Sequence, residues 1–488
     1  MKKLLLGMAG LCSTLAFGMT PTAASAAGAA KSPIDHTIIV YQENISFDHY
    51  FGTFGHGSNG TPAGASQTHQ PSGVSYSPFR LDGSMQGQTC DVDHGYSDMI
   101  KMADHGAMDM YTQLGNNKAE LNPSSNSKTT CPSLDTPAAA GHPALALGYY
   151  EGTPGDSTAP LQNYWNLASH YTLADNFFQG VYGPSTPGAE WLVAATNNTT
   201  GDPNPIGDKC DDYASSMPQT SIPNLGGEAT TAGVSWAWFQ GGFGTCHPDP
   251  NNPNDPTKTI TDGYSAHHDP FQYFSDTADL DHAHAFDPTF NSSDPSQHQR
   301  DLQVLDDALS GTAINGTVPV LPSISWVKAP ALDDGHPSYS GPAGDDFFIG
   351  DLVNRLKNSQ YWGHTAVIVA FDETGGWWDH VAPPQATGDS HFATWTDSTT
   401  PNTTGGCQYP GVPGSGGNPP PACAEAGFGP RMPVLVISPH ARKHFVDHDQ
   451  MDTASLDQWV EWNYGLPALG VWGDRDTDAG SLRGAFDF

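Results

Sequence analysis

Continuous apolar runs, more than alternation, mark the strands of this chain. Thr37–Tyr41, Val234–Phe239, Ser323–Lys328, Thr365–Phe371 and Met432–Ser438 are short stretches rich in β-branched and aromatic residues, the pattern of strands buried on both faces. Helices are predicted over Gln162–His170, Asp301–Leu309, Asp345–Ser359 and Thr453–Tyr464. Strands and helices alternating in this way predict the α/β class, with a mainly parallel sheet and helices on both faces. Gly55–Gly87, Asn116–Pro137, Thr199–Gln219, Thr245–Asp262 and Asp389–Ala426 are rich in Gly, Pro, Ser, Thr, Asn and Asp and read as long loop insertions.

Two of the strands run straight into acids. Thr37–Val40 leads to Glu43-Asn44 and Val367–Phe371 to Asp372-Glu373. Open α/β sheets bind ligands at the carboxyl ends of their strands, so oxygen donors delivered there in pairs read as ligands for a divalent cation. The plain alternative is a solvated acidic turn. Against it stand Trp377, Trp378 and a further Asp379-His380 pair directly after Gly375-Gly376, and the aromatic run Phe47-Asp48-His49-Tyr50-Phe51 after Asn44.

Gly183-Pro184-Ser185-Thr186-Pro187-Gly188 is the best place for a nucleophile. Proline favours the first helical position, so a helix is predicted to start at Pro187 behind a Thr186 cap. Ser185 then stands in front of that helix, whose N–H groups and positive dipole end suit a phosphate. The stretch lacks the G-x-S-x-G pattern of a hydrolase elbow, which points to activation by a metal. His94, His268 and His336, each set among Gly, Pro or acidic residues, are candidates to bind an anion.

Composition narrows the class. The 488 residues show no linker, so one domain over 27–488 is expected. The formal charge of -34, from 18 basic and 52 acidic residues, argues against nucleic acid or an anionic membrane surface as partner. Lys2-Lys3, the apolar Leu4–Phe17 and Ala24-Ser25-Ala26 read as a secretory signal over 1–26, which predicts a periplasmic or secreted protein. No later stretch is apolar enough to span a bilayer. Cys12 leaves with the signal; Cys90, Cys131, Cys210, Cys246, Cys407 and Cys423 remain as an even set suited to disulfides, with sequential pairing expected.

These motifs together resemble the bacterial phosphoesterase family of acid phosphatases and non-haemolytic phospholipases C, related in core fold to alkaline phosphatases and sulfatases. The resemblance runs from about Ile34 to Leu469. It rests on Gln42–Gly52, Gly183–Pro187, His267–Phe271, Phe371–Val381 and Arg431–Pro439. It implies an alkaline-phosphatase-like core, one divalent metal ion of unspecified identity on Glu43, Asn44, Asp372 and Glu373, a Ser185 nucleophile that also meets the metal, and His94, His268 and His336 on the phosphate. The family commonly has Pro-Asn after its nucleophile, whereas Pro187 is followed by Gly188. Its phospholipases often use threonine and carry extra carboxyl-terminal domains, so Ser185 leans the expectation towards the acid-phosphatase branch. No Cys-x-Pro-x-Arg stretch is present for a sulfatase nucleophile.

The expected activity is hydrolysis of a small phosphate monoester through a phosphoserine. A phospholipase C, with Trp377 or Trp378 offering a cationic headgroup an aromatic wall, is the alternative enzyme, and an exported phosphate- or metal-binding protein the non-enzymatic one. Only Arg431 among the basic residues lies in a motif. Charge compensation is therefore expected from metal and protonated histidine, with best activity below neutral pH.

Overall fold

A computed structural model describes residues 30–70, 72–81, 89, 91–114, 144–195, 222–245, 247–248, 259–260, 263–279, 282–337, 340–384, 428–469 and 479–488. The predicted signal, the six remaining cysteines and most of the predicted insertions fall outside these residues.

Among the described residues, nine strands form one sheet: β1 His36–Gln42, β2 Thr172–Phe178, β3 Trp236–Gln240, β4 Gln299–Asp301, β5 Ile324–Lys328, β6 Thr365–Phe371, β7 Arg431–Ile437, β8 Phe445–Asp447 and β9 Met451–Asp452. Their order is β4-β3-β5-β1-β6-β7-β2-β8, with β9 also pairing with β2. Only β7 runs against its neighbours β6 and β2; every other pairing is parallel. The mainly parallel α/β sheet expected from the sequence is present. Consecutive strand residues point to opposite faces, and all seven residues of both β6 and β7 are buried, so both faces of the sheet are covered.

The helices packed around the sheet include α1 Phe47–Phe51, α2 Gln162–His170, α3 Ser185–Ala194, α4 Leu302–Ser310, α5 Pro342–Lys357 and α6 Ala454–Tyr464. Asp301 caps α4 by accepting from Gln303 N at 3.0 Å, and left-handed Gly311 ends it at φ 73°. α5 starts three residues earlier than predicted, at Pro342, because proline is preset for the first helical position. Its Asp346 caps α2 from outside, taking the N–H groups of Asn163 and Tyr164 at 3.1 and 2.8 Å. Sequence reading misses β2 entirely, since Asp175 and Asn176 interrupt its apolar run. Its pairing with β7 and β8 overrides that weak local signal.

Candidate active site

β1 and β6 are adjacent parallel strands in register to their last residues, with Gln42 opposite Phe371. Their next residues, Glu43-Asn44 and Asp372-Glu373, therefore emerge side by side at the carboxyl edge of the sheet. Asp372 Oδ1 ties the two ends together by accepting from Asn44 N at 2.8 Å and Glu373 N at 2.7 Å. Asn44 sits at φ 62°, a left-handed conformation that asparagine tolerates better than most residues. A Cβ on Gly375 would stand 2.5 Å from that of Asn44, and one on Gly376 would stand 2.2 Å from Asp93 O. Glycine at both places lets the loop that carries His94 close over the acids.

Ser185 lies across the crevice and donates to Glu43 Oε2 at 3.0 Å. Contrary to expectation, α3 begins at Ser185 and not at Pro187, with Pro184 in the cap position and no side-chain cap from Thr186. The first four N–H groups of a helix have no internal partner, so Pro187 in that first turn forfeits no bond. The Thr186 hydroxyl instead turns towards His267 O and Tyr273 Oη, both at 3.4 Å. Gly188 has a physical reason: a Cβ there would lie 2.3 Å from Asp372 O, so an asparagine cannot enter at this helix position without moving α3.

The histidines complete the ring. His268 Nδ1 faces Glu43 Oε1 at 3.2 Å, and His94 Nε2 faces Glu373 Oε1 at 3.6 Å. His336 meets His94 edge to face, with ring centroids 5.7 Å apart. The structure thus gathers Glu43, Asn44, His94, Ser185, His268, His336, Asp372 and Glu373 in one crevice.

Sequence reading misses a cation at its centre. Lys328, the last residue of β5 on the other side of β1, is fully buried with its ammonium on Glu43 Oε1. Burial pulls its pKa down, but the carboxylates of Glu43, Asp334 and Asp372 outweigh that and raise it, so it stays charged. The available signal was one lysine closing the apolar run Ile324-Ser325-Trp326-Val327 at the same sheet edge as the acids. Arg431, by contrast, belongs to the scaffold. Its buried guanidinium binds Asp379 at 3.0 Å and Asp48 at 3.3 Å and lies over the Phe47 ring. The Asp379-His380 pair after Trp378 therefore staples motifs together, Asp379 holding Arg431 and His380 holding Asp48, and makes no part of the crevice. Trp377 is buried with one face stacked 3.9 Å from His49, and Trp378 is buried as well, so neither offers an open aromatic wall.

Electrostatics here are tightly linked. Burial resists ionisation of Glu43, yet His268 and then Lys328 hold it well below the usual carboxylate range. Burial, reinforced by Glu43 and Glu373, pushes Asp372 well above that range. His268 and His336 are both pushed down by burial. This amends the expected charge balance, because Lys328 carries positive charge where these histidines resist it. The residues fit a bound cation: Asn44 Oδ1 and Asp372 Oδ2 are buried with no hydrogen-bond partner, which costs roughly 1–3 kcal/mol each unless something binds them.

The α/β sheet thus sets paired acids on two adjacent strand ends beside a serine at a helix start. The chain belongs to the Phosphoesterase family, whose model matches residues 34–467. It is 26% identical over 495 residues to phospholipase C B of Mycobacterium tuberculosis, covering 96% of this chain and 81% of that protein. To the non-hemolytic phospholipase C of Burkholderia pseudomallei it is 26% identical over 482 residues, covering 93% and 59%. The crystal structure of the lipoteichoic acid synthase LtaP from Listeria monocytogenes aligns with a TM-score of 0.33 at 12% identity, over 67% of this chain and 71% of that one, too loose a match to bear on the site. No helix among the described residues is long and apolar enough to cross a membrane.

Proposed function

We propose that this protein is an exported, metal-dependent phosphoesterase that hydrolyses phosphate monoesters through a phosphoserine at Ser185. One observation carries the reading: the Ser185 hydroxyl, at the first turn of α3, donates to Glu43 beside the buried acids of β6. Glu43, Asn44, Asp372 and Glu373, with Ser185, would hold a divalent ion. Bound there, the ion supplies Lewis acidity for the phosphoryl oxygens and lowers the pKa of the serine hydroxyl.

The chain's own groups do the rest. The bond to Glu43 orients Ser185 Oγ and gives its proton an acceptor. The positive end of the α3 dipole, at the first turn that carries Ser185, faces the incoming anion. Lys328 adds a fixed positive charge and pins the far oxygen of Glu43, so the oxygen facing Ser185 keeps its place. Oγ attacks phosphorus in line, the ester oxygen leaves with a proton from one of His94, His268 and His336, and water then cleaves the phosphoserine. Burial lowers the pKa of His268 and His336, so their proton-bearing forms populate in acid and favour turnover there.

A second reading, phospholipase C action on a phosphodiester headgroup, is favoured by the names of the Mycobacterium and Burkholderia relatives. Rates on p-nitrophenyl phosphate and p-nitrophenyl phosphorylcholine separate the two. Ser185→Ala is expected to abolish hydrolysis of both while leaving metal content intact, and Asp372→Asn to lower activity and metal content together. Substantial turnover by purified Ser185→Ala protein ends the nucleophile assignment.

A further inference from the structure

We propose that Gln42 is a positioning residue for the reaction: its side-chain amide, held in one orientation by Asp345, tethers the loop that carries His336 to the end of β1. The inference deepens the reading above and rests on it through the role of His336 at the phosphate.

Asp345 sits where four elements meet. In the first turn of α5 and fully buried, it accepts from Gln42 Nε2 at 2.8 Å, Tyr164 Oη at 2.7 Å and Tyr50 Oη at 3.0 Å. Those donors belong to the end of β1, to α2 and to α1. The neighbouring Asp346 caps α2, so two successive acids fasten the start of α5 to the same frame. A carboxylate gripped by three donors has one place to be.

Gln42 passes that placement on. The two hydrogens of its amide nitrogen go to separate acceptors, Asp345 Oδ1 and, at 3.1 Å, Asp333 O. Turning the amide over would set its oxygen against that carboxylate and that carbonyl, so Asp345 decides which end faces the loop. A second tether runs beside the first: Glu43 N donates to Asp334 O at 2.8 Å. Gly335 then turns at φ 95°, and a Cβ there would lie 3.2 Å from both Asp345 Oδ2 and Glu43 O. His336 follows directly, its N–H donating to Asp334 Oδ1 at 3.0 Å. The place of His336 in the crevice is therefore set by what holds this turn.

Packing alone does not account for a glutamine at the end of β1. Gln42 is fully buried and its Oε1 has no hydrogen-bond partner, which costs roughly 1–3 kcal/mol. An apolar side chain of the same length fills the space without that cost, but cannot hold Asp333 O.

A double-mutant cycle with His336 tests the proposal. Full-length parent, Gln42→Met, His336→Gln and the double variant are assayed as purified for kcat/KM on p-nitrophenyl phosphate, with thermal unfolding to confirm that each is folded. Gln42→Met keeps the length of the side chain and removes both hydrogen bonds. It is expected to lose on the order of 10- to 100-fold in the parent by displacing His336, and less than about threefold where His336 is already glutamine. An equal loss in both backgrounds marks a general structural defect and overturns the proposal. So does parental activity in Gln42→Met, or a His336→Gln variant that loses nothing. If Gln42→Met does not fold, Gly335→Ala, which crowds the same turn from its other side, replaces it in the cycle with the same expected and refuting results. If Ser185→Ala retains turnover, the nucleophile assignment fails, while the cycle still reads whether Gln42 acts through His336.

Discussion

Replacing Gly188 by alanine places a methyl group where the carbonyl of Asp372 already is. The new Cβ would stand 2.3 Å from Asp372 O and 3.2 Å from Tyr41 Oη, against 3.4 Å for the near limit of ordinary contact. Both neighbours belong to buried strand ends that cannot retreat, so α3 must move by about 1.1 Å at this turn. Ser185 lies one turn earlier on the same helix and moves with it. Misplacement of about 1 Å in a reacting group costs on the order of 100-fold in rate, or about 2.7 kcal/mol of transition-state stabilisation. Stability should change far less. Overpacking costs about 1–3 kcal/mol, and the better helix propensity of alanine returns about 1 kcal/mol of it. Steady-state hydrolysis of p-nitrophenyl phosphate, run beside thermal unfolding, reads both quantities. Gly363→Ala is the control, since nothing lies within 4 Å of its would-be Cβ. A Gly188→Ala enzyme within about threefold of the parent kcat/KM would show that the close approach of α3 to Asp372 does not set the position of Ser185.

Two further outcomes follow from buried charges. Lys328→Met removes the cation from Glu43 and leaves a buried carboxylate facing His268, which should cost about 3–5 kcal/mol; urea unfolding of metal-free protein measures the loss, and added divalent ion should restore much of it. Asp345 accepts from Gln42, Tyr50 and Tyr164, yet burial raises its pKa to about 7. Between the unfolded value near 4 and about 7 the folded chain holds the extra proton, so this contribution is full in acid and lost as pH rises through 7. It amounts to roughly 4 kcal/mol. Stability measured by urea unfolding should therefore increase from pH 7.5 to pH 5, and Asp345→Asn should flatten that slope; an unchanged slope in the variant refutes the assignment.

What the sequence revealed, and what it hid, follows from how far each signal reaches along the chain. β1 and β6 are legible because strands buried on both faces need apolar residues at every position, and their acidic ends are legible because an acid pair directly after such a run has no packing reason to be there. Ser185 stands out through the proline and glycine around it. The true start of α3 does not, since a proline fits anywhere in the first turn and only the packing against Asp372 fixes which residue leads. Arg431 shows the limit of motifs: membership in one does not separate a residue that touches ligand from one that staples Asp48 to Asp379.

Lys328 marks the deeper limit. A lysine ending a strand looks like a surface residue, because most lysines are exposed. Only the sheet order, which sets β5 beside β1, turns it onto Glu43. The same order explains why the crevice tolerates so many buried acids. Each strand end supplies one or two charges, and no single segment carries enough of them to be destabilised on its own. The cost of bringing them together falls on the assembled sheet, where a fixed ammonium and bound cations can offset it. Acids contributed by separate strands, brought together only once those strands have met, make a charge cluster that exists only in the correctly folded chain.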